Sequence, residues 1–464
     1  MKNFSRREFI KRSSAIVASG LLISPLSALY ARELQGGVIR STGFGALSPK
    51  LPENAADLTQ TVLGDLSSTA FLDLPPDFRY WAVSITGQTM TDNTLVPGDH
   101  DGMAAFAGPN GTIIVVRNHE LSPGEDEFGN TAGVDVGMSN KFDTGASGGT
   151  THMIFDSEGQ LQQHFASLGG TIRNCAGGPT PWNTWVTCEE NTSLPGGDLT
   201  QKHGYAFEVP ASATGPVSPI ALTAMGRFNR EAVAVDPKTS YVYQSEDRGD
   251  GCFYRFRPNT VGDLSSGTLE AMVITGSPSL DTSSGQLQNL GQAQNVEWVE
   301  LTEPDPAEDT LRTTAQGLGA AIFSRGEGMW YGNGLIYFCC TDGGDAGNGQ
   351  IWAYNPANDT VTLFVESTDA NELESPDNIT VGPGGLLYLA EDGDGSDFIV
   401  GVNTDGRLFQ FARNARTTAE FTGVCFSPNG RFMFVNDQGL GVTFVIEGPW
   451  DRIFVDGFDT NLTV

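Results

Sequence analysis

Five residues with ligand chemistry each stand just ahead of an apolar, strand-like run: Asp101, Cys175, Glu231, Glu327 and Asp377. Carboxylates suit hard cations such as calcium, whereas a thiolate is a soft ligand that suits iron. Solvated turns account for acids at hairpin ends, but not for a set that precedes apolar strands. Gathered in one hollow, such groups repel one another and resist burial, at a cost of several kcal/mol each unless cations neutralise them. Their pattern therefore predicts a cation centre built from different parts of the chain.

The elements that must bring them together are visible as a repeat. Six segments, 101–120, 175–190, 231–246, 327–342, 377–392 and 422–437, share one grammar. An acid or its equivalent is followed by a small residue, alternating apolar residues, a Pro/Gly turn, bulky β-formers and a closing acid. The turns include Gly108-Pro109-Asn110-Gly111, Gly178-Pro179-Thr180-Pro181, Gly332-Asn333-Gly334 and Ser427-Pro428-Asn429-Gly430. Each unit reads as a β-hairpin. Five of the six have the same first-to-last offset, as in 190 − 175 and 246 − 231; the first unit is longer. The expected fold is all-β, a six-bladed β-propeller with loop insertions, in which equivalent first strands line a central channel. The Ser-, Thr-, Gly- and Gln-rich stretch 259–320 is expected to be the largest loop. Thr422, in the sixth first position, would leave one side of the channel open.

Composition narrows the function. With 26 basic and 56 acidic residues the chain carries a net charge of −30. Nucleic acid is excluded as a partner because phosphate backbones need clustered Lys and Arg. The 58 glycines, about one residue in eight, argue for many turns and against a helical bundle.

The first 31 residues read as an address. Ser5-Arg6-Arg7-Glu8-Phe9-Ile10-Lys11 is similar to a twin-arginine export signal, and the apolar run from Ala15 to Ala28 is too short and broken for a membrane span. Residues 32–464 are then expected to form a single propeller domain, periplasmic or secreted, with no membrane span in the mature chain. The partner implied by the leader is the twin-arginine export machinery, which carries folded, often cofactor-loaded proteins. The cysteines, Cys175, Cys188, Cys252, Cys339, Cys340 and Cys425, contain no C-x-x-C pair and form no disulfide framework. Most lie in apolar runs; Cys175 alone sits in a polar, Gly-rich setting.

The block Arg173-Asn174-Cys175-Ala176-Gly177-Gly178-Pro179-Thr180-Pro181-Trp182-Asn183-Thr184-Trp185-Val186-Thr187-Cys188-Glu189-Glu190-Asn191 closely resembles the signature of PhoX-type bacterial alkaline phosphatases. So do Asp101-Gly102-Met103, Arg117-Asn118-His119-Glu120, Arg230-Glu231-Ala232, Arg325-Gly326-Glu327-Gly328, Ser375-Pro376-Asp377-Asn378 and the 421–430 segment. The resemblance spans about residues 75 to 450. It implies a six-bladed propeller, twin-arginine export, and a centre of two ferric ions and several calcium ions. By motif, Cys175 would be the iron-bound thiolate, and Glu190, Glu231 and Glu327 carboxylate ligands. Asp377, Glu120 and Glu391 join the ligand set, Arg325 would hold and activate the phosphate, and Asn118 is placed with the substrate. The expected activity is hydrolysis of small phosphate esters, monoesters above all, to inorganic phosphate. The chemistry suits those residues: phosphoryl transfer needs charge neutralised on the equatorial oxygens, and Arg offers a planar fork for phosphate. Arg230 stands where the family often has His, and the chain is shorter than the family's fuller members.

Two weaker motifs point elsewhere. Gly145-Ala146-Ser147-Gly148-Gly149 fits G-x-S-x-G, but no helix is expected after it, as a nucleophile elbow requires. Asp392-Gly393-Asp394-Gly395-Ser396-Asp397 opens like a calcium loop but has Asn403 where the twelfth-position Glu belongs. The rival functions are a calcium-dependent propeller lactonase or esterase, which has no use for Cys175, and a non-catalytic, metal-stabilised binding propeller.

Overall fold

A computed structural model describes residues 43–123, 136–404, 406–455 and 458–461. The expected leader, residues 1–31, lies outside them. Among the described residues strands dominate, the one α-helix is the short Leu311–Gly317, and no helix is long and apolar enough to cross a membrane.

Each repeat is a hairpin. The pairs are His100–Ala107 with Ile113–His119, Asn174–Pro179 with Thr184–Glu189, and Arg230–Val235 with Val242–Glu246. The other three are Gly326–Gly332 with Leu335–Cys340, Pro376–Val381 with Leu387–Glu391, and Phe421–Phe426 with Phe432–Asp437. The first strand of each hairpin packs on that of the next, and the sixth packs on the first. The result is a propeller whose inner strands surround a channel. The strand Arg79–Val83, from early in the chain, pairs with Val442–Glu447 and completes the last blade, so the two ends of the domain lock the ring.

The sheets are less even than six equal blades. They contain six, three, nine, four, four and two strands. The nine-stranded sheet joins the third and fourth blades. The stretch 259–320, expected as a loop, supplies the bridge: Asp263–Ile274 and Ala293–Glu300 are strands, and the second pairs with Thr360–Glu366. On these strands Ser265 and Ser266 are exposed and Thr268 and Gln294 half-buried, positions where strand alternation accepts polar side chains. The G-x-S-x-G stretch runs into the strand Gly148–Phe155, with no helix after it.

Close packing explains the small residue after each acid. A Cβ on Gly102 would lie 2.7 Å from the Cys175 carbonyl oxygen, and one on Gly328 would lie 2.6 Å from that of Asp377. The blades are also tied by hydrogen bonds at the channel wall. The Asn118 amide donates to the Cys175 and Ala176 carbonyls at 2.9 and 2.7 Å, Ser245 to the Glu327 carbonyl at 2.6 Å, and Thr422 to the His100 carbonyl at 2.6 Å.

Candidate metal centre

The register of every inner hairpin shifts near its start, after the first paired residue in five hairpins and after the second in the sixth. The shifts fall between His100 and Met103, Asn174 and Gly177, Arg230 and Val233, Gly326 and Met329, Pro376 and Ile379, and Thr422 and Cys425. Such a β-bulge re-aims a side chain that regular alternation would send into the sheet. It is what turns Asp101, Cys175, Glu231, Glu327 and Asp377 toward the channel from strands that are otherwise apolar.

Backbone bonds define two further sets of equivalent positions. The N–H groups of Glu120, Glu190, Asp247, Thr341, Asp392 and Gln438 donate to the carbonyls of Asp99, Arg173, Asn229, Arg325, Ser375 and Glu420, in that order. Each blade thus contributes one residue to a first ring, led by the acids and Cys175, one to a second ring ending the hairpin, and one to a third ring preceding it. Asp99, Arg173, Arg325 and Ser375 all have φ between 43° and 45°, a left-handed turn that brings the chain into the first strand.

The three rings converge. Ligand atoms of Cys175, Glu190 and Glu231 lie within 4.8 Å of one another, as do those of Glu231, Glu327 and Asp377, so Glu231 belongs to both groups. Burial, reinforced by the neighbouring carboxylates, pushes Asp101, Glu231 and Glu327 well above the usual carboxylate range. Burial likewise raises Asp377 to about 8, with Asp392 adding to it, and Glu190 to about 7 against the pull of Arg173. Cys175 is buried and its thiol is driven up by burial and by Glu231, Glu190, Asp101 and Glu120. One buried oxygen of Asp101 has no hydrogen-bond partner. The donor set therefore fits cations: carboxylates and one thiol, crowded together, with lone pairs the protein does not satisfy.

The third ring is unequal around its circumference. Arg173, Asn229 and Arg325 come from consecutive blades and form a donor arc, and each holds the second-ring acid of the blade before it. Arg173 pairs with Glu120 at 2.5 Å and also with Glu190 of its own blade. Asn229 donates to Glu190 at 2.6 Å. Arg325 donates to both oxygens of Asp247, at 2.9 and 3.1 Å, and to Glu327 at 2.9 Å. Its side chain remains 42% exposed. The other half of the ring carries Asp99, Ser375 and Glu420. Beside the donor arc an open cleft of about 450 Å³ is lined by Arg173, Glu190, Asn191, Thr192, Ser193, Asn229 and Arg248.

Of the residues expected from sequence, Cys175, Glu190, Glu231, Glu327 and Asp377 meet in the channel, with Arg325 against Glu327 and Glu120 against Arg173 and Gln438. Two of the expected residues lie elsewhere. Asn118 is fully buried, with its amide spent on carbonyls and its oxygen accepting from Trp185 at 2.8 Å, so it joins blades and offers no atom to a ligand. Glu391 faces into its blade, where it accepts from the Glu374 and Phe398 N–H groups at 2.8 and 3.0 Å; its chain neighbour Asp392 is the channel residue. Glu246 and Asp437, closing acids of the expected repeat, also face inward, and Asp247 and Gln438 take the channel positions. Sequence reasoning missed Asp247, the donor arc beyond Arg325, and Glu420. The paired Arg-x-Cys and Arg-x-Glu at 173–175 and 325–327 were the available signal.

A family model described as alkaline phosphatase PhoX matches residues 64–163 and 157–441. A search of curated proteins gave no match. Among solved structures, Pseudomonas fluorescens PhoX in complex with vanadate, a transition state analogue, is similar at a TM-score of 0.63 and 18% identity, covering 82% of this chain and 96% of that chain. A gluconolactonase from Xanthomonas campestris reaches 0.42 at 12% identity, over 89% of this chain and 98% of that one. The first of these likenesses shows a shared propeller fold.

Proposed function

The chain belongs to the alkaline phosphatase PhoX family and is an alkaline phosphatase, and we propose that its reaction takes place in the propeller channel at a mixed iron–calcium centre. The observation that carries this is the pair of donor groups sharing Glu231, one with Cys175 and one all carboxylate, set against the donor arc. Cys175, Glu190 and Glu231 would hold iron, the thiolate being the soft ligand. Glu231, Glu327 and Asp377 would hold a further ion, with Asp101 and Glu120 available to calcium. Bound there, the cations supply Lewis acidity and neutralise charge on the transferring phosphoryl group.

The chain's own residues do the rest. Arg325 presents its guanidinium to the phosphate, oriented by the two bonds to Asp247, so little ordering is left to do on binding. Arg173 occupies the equivalent position on the far side of Asn229 and closes the phosphate site from there. The acids opposite, Asp99 and Glu420, repel an anion and so fix which side of the channel the ester enters. The vanadate complex of the P. fluorescens protein is in keeping with a site shaped for a five-coordinate phosphoryl group. Residues 1–31 are proposed as a twin-arginine leader and the mature protein as periplasmic or secreted. Family membership displaces the lactonase and binding-module readings.

The test is p-nitrophenyl phosphate hydrolysis at alkaline pH with added calcium, using protein exported through its own leader. Wild type should turn over and absorb in the visible through thiolate-to-iron charge transfer, and Cys175→Ala should lose both. Colourless, iron-free protein with full activity would refute the centre.

A further inference from the structure

The cleft beside the donor arc is an electrostatic exception. In a chain of net charge −30 its walls carry two arginines and one carboxylate, and every residue lining it is polar. It opens on the centre, because Glu190 and Asn229 belong to both. An ester whose phosphate sits on the donor arc therefore has this cleft as the place for its organic part. Resting on the phosphatase reading above, we propose that Arg248 and the Asn191–Ser193 loop form a subsite for that organic part, and that Arg248 selects esters carrying a second anionic group, a carboxylate or another phosphate.

Three observations support this. First, Arg248 is positioned by the machinery it would serve. It follows Asp247, the acid that orients Arg325, and its carbonyl accepts the Arg325 N–H at 2.8 Å. Second, it has donors to spare. Arg173 is committed to two carboxylates and Arg325 to two more, whereas Arg248 makes one 3.4 Å contact with Asp309, an acid it shares with Arg312 at 3.0 Å. A guanidinium has five N–H donors, so a bidentate anion can be gripped without breaking the structure. Third, the Asn191–Ser193 wall is preformed. The Ser193 N–H donates to the Asn191 side chain at 2.7 Å, the His203 N–H to the Ser193 carbonyl at 3.0 Å, and Arg227 to the Thr192 carbonyl. A rigid, hydroxyl-lined wall suits a hydrophilic group such as a sugar or hydroxy acid, and offers little apolar surface to an aromatic one. The Debye length of about 8 Å keeps the effect local despite the chain's overall charge.

The test compares kcat/KM of the metal-loaded enzyme for phenyl phosphate, glycerol 1-phosphate, phosphoglycolate and propane-1,3-diol bisphosphate. Wild type should prefer the two charged esters to glycerol 1-phosphate. Arg248→Ala should lower kcat/KM for the charged esters about tenfold, ~1.4 kcal/mol, chiefly through KM, and for phenyl phosphate no more than about twofold. Arg248→Lys should fall between, and added salt should shrink the wild-type preference. A carboxylate-only or bisphosphate-only effect would identify which anion is read. Equal losses on all four esters, or no preference in wild type, overturns the subsite. Wild type inert on every ester would instead overturn the phosphatase reading on which it rests.

Discussion

Glu189 and Glu190 are chain neighbours that face opposite ways, and the contrast runs around the whole molecule. Glu189 turns into its blade. It accepts the N–H groups of Ile172, Gly204 and Tyr205 at 3.0, 2.9 and 3.1 Å and sits 2.6 Å from His203 Nδ1. Glu190 turns into the channel, among Cys175, Glu231 and Arg173. Glu246 is fixed by the Tyr254 hydroxyl at 2.7 Å and the Cys252 N–H at 3.2 Å, while Asp247 faces the centre. Glu391 and Asp437 repeat the inward role. Both populations are buried acids. One is held mainly by fixed protein donors and shapes loops, with one oxygen of Glu246 left without a partner; the other is crowded with like charge that the donor arc offsets only in part. Depth alone does not separate structural from functional carboxylates, but the source of their partners does.

The contrast is broken most severely at the shared ligand. Glu231→Gln removes a group common to both donor clusters, and phosphatase activity should fall about a thousandfold with loss of bound iron and calcium. The metal-free variant should unfold no earlier than metal-free wild type, because one source of repulsion is gone. Metal analysis with urea unfolding of both forms checks this; a variant that retains its metals would detach Glu231 from the centre. Arg325→Ala should follow, with about a hundredfold loss in kcat/KM and metal content kept.

The inward population should fail differently. Glu189→Ala strands three backbone N–H groups and breaks a buried pair with His203, so it should destabilise the apoprotein by about 3–5 kcal/mol. Whatever still folds should keep most of its specific activity. Urea unfolding against active-site titration separates the two effects, and a variant that is stable but inactive would move Glu189 into the functional class.

Which member of each pair faces which way was only partly legible in the sequence. The first ring was: an acid before an apolar strand breaks alternation, and the following Gly or Ala marks close blade packing, as at Gly102 and Gly328. The second ring needed the hairpin lengths. A fixed offset of 15 finds Glu190 and Asp392 but lands on Glu246 and Asp437, because their hairpins run one residue longer and a one-residue slip flips the face. Glu391 was misplaced through the family resemblance by the same single step. The third ring shared a spacing, two residues ahead of the first, but no residue type. Its residues are Asp, Arg, Asn, Arg, Ser and Glu, and only the Arg-x-Cys and Arg-x-Glu pairs pointed to a common role. Asn118 was misassigned because a side chain that joins two blades at the channel wall looks, in one dimension, like one that faces a ligand.

The smallest effect expected concerns His203, the cation of the inward population. Burial disfavours its charged form, but its bond and charge contacts with Glu189, and then those with Asp143, outweigh burial and raise its pKa above 6.5. A base whose folded pKa is raised stabilises fully below the unfolded value and loses that contribution as pH rises through the folded value. The stability difference between wild type and His203→Gln should therefore be constant below about pH 6.5 and shrink above it. Phosphatase activity of the folded variant should follow the wild-type pH profile, since His203 touches no channel group. Urea unfolding of the two proteins across that range reads the difference directly. A difference independent of pH would mean that the ring is held neutral, and that hydrogen bonds alone, without a buried cation, satisfy Glu189.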